Sequence, residues 1–383
     1  MPRALRPSLL LARALRRSAA GDLPGVEPSL RRGLEAVGEG SSCGDVRTAR
    51  FYLALLGCQE GRYPEADGHL ARLGFGARLS DAIWAERCNL PLPADFFVRV
   101  VDEGLPPALV EALRQGLGPD SPYWQAHRYD DADLAFYSHA HHLGQAAHLV
   151  DELVEALRPL LAQVAPEVAA SVRLAEWWAH HRRPSQWHGH PMHFDTNEKL
   201  LRDSRGACVQ SPAVSTVVYL SDPSPRFGPT LVTSQKPRQD VGAREVATLV
   251  RPRRGRVLFF DGSYLHGALP GRPWLAEPTD NDHRLCIMVG WWTDPLVPLP
   301  PSDPPQPLML TDPTAEWVHR LGRLGSQVPT AGFGRLCEVG TAAPIWVDVP
   351  GAEAAKRRYG ASGAASFFGR YFLTHRGQVD EDI

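Results

Sequence analysis

The chain has 383 residues, 43% of them hydrophobic and 22% charged, a balance suited to a large buried core and unlike a disordered or fibrous composition. Lys plus Arg total 41 against 43 Asp plus Glu, so charge gives no reason to expect nucleic acid or an anionic membrane as a partner. The six cysteines are scattered without a Cys-x-x-Cys pair, which argues against a zinc framework or disulfide scaffold and fits a reducing compartment. No apolar run nears the ~18 residues that a membrane-spanning helix needs.

Residues 1–21 hold Arg3, Arg6, Arg13, Arg16 and Arg17 with no acid before Asp22. Two readings stand: an organellar transit peptide or a basic first helix, hence a cytoplasmic or an organellar location. Residues 22–92 carry helical patterning. From Ala49 to Leu73 two short helices meet around Gly61, with Tyr63, Ala66 and Leu70 where a tetratricopeptide-like hairpin places packing residues. Such repeats bury a core only when three or more stack, and no second copy is found. A helical cap on the remainder is expected, with a protein-partner surface as the alternative.

A new unit, 93–300, opens with strand-like residues at Phe96–Val101. Helices are predicted over Pro106–Leu117 and His148–Val164, from leucines at helical spacing. Short β-branched and aromatic runs then follow: Ala213–Leu220, Val246–Val250, Arg256–Phe260 and Arg284–Trp292. With 34 glycines and 35 prolines to make turns, the expected fold is mainly β with flanking helices (α+β), a double-sheet jelly roll carrying helices on one flank. Proline crowding from Pro295 to Pro313 predicts a semi-rigid linker. The C-terminal extension, 301–383, has a helix candidate near Trp317 and strand candidates at Ile345–Val349 and Phe367–Leu373.

The segment Trp187–Glu198 reads WHGHPMHFDTNE. In an extended chain His193 and Asp195, two apart, point to one side and can grip one metal ion. A third ligand from a later strand is needed, and His266 lies just past the apolar GRVLFF run. Two histidines and one carboxylate on one face of a metal suit non-haem Fe(II) and oxygen chemistry. Farther on, Arg284, Cys286 and Met288 share one face of a strand. An inward arginine needs an anion, and a carboxylate held bidentately is the natural partner; the alternative is a rim arginine paired with Asp282 or Glu277. His188 and His190 are read as supporting or surface residues, and His139, His141 and His142 as packing or solvated ones. Asp261 reads as a turn cap. The basic run Arg251, Arg253, Arg254 and Arg256 reads as a solvated hairpin turn, with a clamp for an acidic substrate as the alternative. Trp177, Trp178 and Trp187 are expected in the core or a pocket wall.

From about Phe96 to Trp292 the chain resembles the Fe(II)/2-oxoglutarate dioxygenases, in the branch similar to prolyl 4-hydroxylases. Four features match in order: His193-x-Asp195, the strand and Gly-Pro-Thr of VSTVVYLSDPSPRFGPTLV, the distal His266, and Arg284 eighteen residues later. The resemblance implies Fe(II) on His193, Asp195 and His266, with 2-oxoglutarate chelating the metal and its far carboxylate on Arg284. It further implies O2 as oxidant, ascorbate as a candidate accessory reductant, and hydroxylation of a peptide, protein or small-molecule substrate with release of succinate and CO2. Many members carry a small hydroxyl residue two after the arginine; Cys286 stands there, so Thr216, Tyr219 and Thr230 become the candidates for a second carboxylate contact. Asp195 retains the carboxylate that related halogenases lose, which favours hydroxylation. The rival readings are a zinc hydrolase or lyase on a cupin-like barrel, and a non-enzymatic interaction protein built on the helical hairpin.

Overall fold

The computed structural model describes residues 7–37, 44–129, 136–237, 245–277, 279, 283–325, 334–351 and 372–373. Four helices come first: α1 (Pro7–Ala19), α2 (Leu23–Val37), α3 (Gly44–Glu60) and α4 (Tyr63–Leu73). Then follow β1 (Ala77–Leu79), α5 (Asp81–Trp84), β2 (Val98–Asp102), α6 (Pro107–Gly116), α7 (Pro122–Ala126), β3 (His139–His141), α8 (Leu149–Val164) and α9 (Pro166–Ser171). The strand-rich part holds β4 (Leu174–Arg182), β5 (His190–His193), α10 (Glu198–Asp203), β6 (Val214–Tyr219), β7 (Phe227–Thr233), β8 (Ala247–Val250), β9 (Val257–Asp261), β10 (His266–Pro270) and β11 (Arg284–Trp292). Last come β12 (Met309–Leu310), α11 (Glu316–Leu321), β13 (Arg335–Cys337), β14 (Trp346–Asp348) and β15 (Phe372–Leu373).

Two sheets dominate: an eight-stranded one in the order β12-β3-β4-β11-β6-β9-β2-β13, and a four-stranded one in the order β5-β10-β7-β8. They face each other. Val98, Val100, Val217, Tyr219, Leu258, Phe260 and Cys286 of the large sheet pack against Val232 and Val250 of the small one. The outer face of the large sheet buries Trp177, Ala179, Val218, Phe259, Ile287 and Trp291 against α6 and α8. Leucines at helical spacing make that possible, because Leu109 and Leu113 fall on one stripe of α6, and Leu149, Leu153, Leu157 and Leu160 on one stripe of α8. His148 caps α8, its ring accepting from the backbone N–H of Asp151 while the Asp151 carboxylate accepts from the backbone N–H of His148.

The small sheet is covered as well. Met192, Leu231, Ala247, Leu265 and Leu269 pack on the N-terminal helices, where α3 is buried nearly all round. Helices therefore lie on both flanks and not on one as expected, since a four-stranded sheet with two apolar faces needs a cover on each. The α3–α4 hairpin turns at Gly61, whose φ of 76° favours glycine. Its inner face is spent on this packing, and Leu11 and Ala14 of α1 join the same cluster.

The proline-rich stretch leads back onto the large sheet. Leu296 and Leu308 pack on Ala140, Leu174 and Trp292, β12 pairs with β3, and β13 adds to β2 at the opposite edge. Of the predicted strand Phe367–Leu373, residues 367–371 lie outside the described residues, and 372–373 pair with β1. The basic run is an exposed turn, as expected, but its charges are paired: Arg253 and Arg256 both donate to the buried Asp102 carboxylate, and Arg254 pairs with Asp222. Arg256 foremost holds the Asp102 carboxyl down at about 2.

Candidate metal centre

β5 lies antiparallel to β10 with His193 opposite His266. Phe194 turns toward the N-terminal helices, so His193 and Asp195 turn into the space between the sheets, as alternation along an extended chain requires. One donor atom from each of His193, Asp195 and His266 lies within 4.8 Å of the others. Asp195 Oδ1 is 3.8 Å from His193 Nε2 and 3.5 Å from His266 Nε2.

The surroundings orient each donor. His193 Nδ1 lies 2.9 Å from the Pro191 carbonyl and His266 Nδ1 2.9 Å from the Tyr264 carbonyl. A carbonyl only accepts, so both Nδ1 atoms carry the proton and both Nε2 lone pairs face inward. Ser215 Oγ donates to Asp195 Oδ2 at 2.6 Å, leaving Oδ1 for the shared point. Burial, reinforced by the neighbouring His266, lowers His193 to about 4 and keeps its ring neutral; the ring lies deep in the protein, yet 31% of the side chain is open to the cavity. Three donor atoms thus converge on one point, which fits a divalent cation. The donor set serves iron or zinc.

Beside the trio, one cavity is lined by His193, His266, Thr230, Arg284, Cys286 and Met288. Arg284 Nη1 donates to the Gly228 carbonyl at 2.6 Å and Nη2 to Thr230 Oγ1 at 2.8 Å, while the Tyr219 hydroxyl donates to the same Thr230 oxygen at 2.6 Å. The guanidinium is thereby turned inward, away from the exposed Glu277; Asp282 lies outside the described residues. Tyr219, Thr230 and Cys286 gather around it. Thr216 does not. It sits on the opposite face of β6, accepting from Trp291 Nε1 at 2.8 Å. Residues 216 and 219 differ in parity, so one strand cannot send both to the same side.

Some residues around the site escaped the sequence reading, and others take a sharper place than it gave them. Ser215 shares the parity of Val217 and Tyr219 in VSTVVY, a signal that was there to use. His190 lines the cavity although it is three residues before His193, because a bulge in β5 shifts the pairing between His266↔His193 and Ala268↔His190. Gly267 permits that bulge, since a Cβ there would lie 2.9 Å from the carbonyls of His190 and Pro191. From β4, Trp178 lines the same cavity, as a pocket-wall residue was expected to, and His180 and Arg182, which the sequence reading did not single out, project beside it. His188 bonds the Tyr52 hydroxyl at 3.1 Å, and Asp261 caps its turn through Ser263. His139 and His141 are buried away from the cavity, the latter between Asp151 and Glu155.

No family model and no curated protein matches the sequence. Among solved structures the chain is similar to a prolyl-4-hydroxylase from Pseudomonas putida, at 19% identity over 52% of this chain and 86% of that one, with a TM-score of 0.33. It is similar to AviO1 from Streptomyces viridochromogenes at 17% identity over 54% of this chain and 93% of that one, TM-score 0.33. It is similar, too, to HygX from Streptomyces hygroscopicus, solved with nickel and 2-oxoglutarate bound, at 16% identity over 51% of this chain and 82% of that one, TM-score 0.29.

Proposed function

We propose that the protein is a 2-oxoglutarate-dependent oxygenase, its iron held by His193, Asp195 and His266 and the far carboxylate of the cosubstrate held by Arg284. The observation that carries this reading is the meeting, in one cavity, of the three converging donors with an arginine already turned inward by Thr230 and Gly228. A zinc hydrolase needs no such arginine. We read the two facing sheets as the jelly roll of this enzyme class, and hydroxylation of a peptide, protein or small-molecule substrate as the reaction.

Iron bound here with 2-oxoglutarate supplies O2 activation and C–H oxidation, with succinate and CO2 released. The protein's own part is to bind and orient. Ser215 fixes which Asp195 oxygen faces the metal, and the Pro191 and Tyr264 carbonyls hold the two imidazoles in the required tautomer. Thr230, with its hydrogen bonds from Tyr219 and Arg284, sets the guanidinium for a two-point grip on a carboxylate. Trp178, Val217, Phe227 and Met288 give the cavity apolar walls that exclude water.

Protein loaded with Fe(II) should turn 2-oxoglutarate slowly into succinate even without a second substrate, followed by NMR. Asp195→Ala, which removes the only anionic ligand, should lose this activity and weaken iron binding by at least about a hundredfold, beyond the loss typical of a supporting residue. Greater turnover with zinc than with iron, for any substrate, would overturn the proposal.

A further inference from the structure

β4 and β11 are neighbours, and Arg182 lies directly opposite Arg284 in their register. The two guanidiniums turn to different sides of the cavity that both line. Arg284 reaches toward β7, to Gly228 and Thr230, whereas Arg182 reaches toward β5, where its Nη2 donates to His190 Nδ1 at 2.5 Å. An imidazole acceptor fixes direction but supplies no negative charge. Among the described residues Arg182 meets no carboxylate, and the cavity wall beside it, made by Gln186, Gly189, His180 and His190, holds no acid.

A guanidinium cannot shed its proton, and it has five N–H groups to satisfy. A part-buried one without a counter-ion is costly. On the function proposed above, which this step assumes, the two negative charges of 2-oxoglutarate answer Arg284 and the residual charge of the divalent ion on Asp195. Arg182 stays unanswered. We infer that Arg182, aimed by His190, anchors an oxyanion on the prime substrate, so that the enzyme acts on an acidic molecule bearing a carboxylate or a phosphoryl group next to the β4–β5 side of the cavity.

The test titrates acetate and, separately, methyl phosphate into anaerobic Fe(II)-loaded protein, with and without saturating 2-oxoglutarate, read by calorimetry. At least one anion should bind the wild type, the tighter one naming the class of oxyanion. Arg182→Gln should weaken it by at least about tenfold while the dissociation constant of 2-oxoglutarate stays within about threefold, with Arg182→Lys between the two because it keeps charge but loses the fork. The inference is overturned if neither anion binds, if both bind wild type and Arg182→Gln alike, or if Arg182→Gln weakens 2-oxoglutarate by tenfold or more, which assigns Arg182 to the cosubstrate. If wild type binds no 2-oxoglutarate, the oxygenase reading fails, and the titration without it still decides whether Arg182 holds an anion. Retention of the wild-type melting temperature by Arg182→Lys separates lost binding from lost folding.

Discussion

The two faces of β4 put the same residue types to opposite uses. Of the pair Trp177 and Trp178, the first stacks on His139 at 4.6 Å on the helix-covered face, and the second lines the cavity. His180 and His181 divide likewise, His180 toward the cavity and His181 against Trp124 of α7. Histidines crowd both sides. On the outer face His127, His139 and His148 all lie within 5.5 Å of the Trp317 ring, and burial pushes His139 far down so that it serves as a neutral packing group. On the inner face His193 and His266 are held from behind by carbonyls and present Nε2 to a shared point. A histidine's role here follows from strand parity and from what its second nitrogen meets.

The two faces are not independent if the outer one governs metal binding. Trp177→Ala should lower unfolding stability by about 3–5 kcal/mol, as expected for a fully buried aromatic ring, measured by denaturant titration. Iron affinity of the folded fraction should be unchanged. A loss of affinity comparable to that of Asp195→Ala would mean that the two faces are not separate.

Glu176 sharpens the same contrast at the far end of the inner face. It is buried, accepts from Ser138 and from Trp292 Nε1, and lies near enough to Asp195 to feel its charge. Burial foremost raises its pKa from 4.5 to about 7. The folded state therefore prefers the protonated acid, so this contribution to stability is complete below 4.5 and is lost as pH rises through about 7. Relative to Glu176→Gln, the wild type should lose on the order of 3 kcal/mol across that window. Parallel pH profiles for the two proteins would show that Glu176 ionises normally.

What was legible in the sequence follows from residue type and periodicity. Runs of β-branched and aromatic residues exposed β6 and β11, and leucine stripes exposed α6 and α8. His193, Asp195, His266 and Arg284 were found because each sits in an extended segment where spacing translates into direction. β4 was not read as a strand, since LAEWWAHHR has no β-branched residue and carries no alternation, and with it Arg182 was missed. His190 was read as a supporting or surface residue, and the β5 bulge, which no spacing rule anticipates, turns it into the cavity wall. Thr216 was placed wrongly for want of the parity test that would have excluded it. The covering of the small sheet by the N-terminal helices depends on contacts distant in sequence, so composition could indicate a helical cap but not the face it closes.

Whether the inward arginine beside the three donors grips a cosubstrate carboxylate is decided by titrating 2-oxoglutarate into anaerobic iron-loaded protein, wild type against Arg284→Ala. A charge-assisted pair in a partly desolvated site contributes roughly 1.5–3 kcal/mol, so the dissociation constant should rise on the order of 10- to 100-fold. Iron affinity should stay nearly unchanged, because Arg284 touches Gly228 and Thr230 and no metal ligand. An unaltered affinity for 2-oxoglutarate would contradict the account.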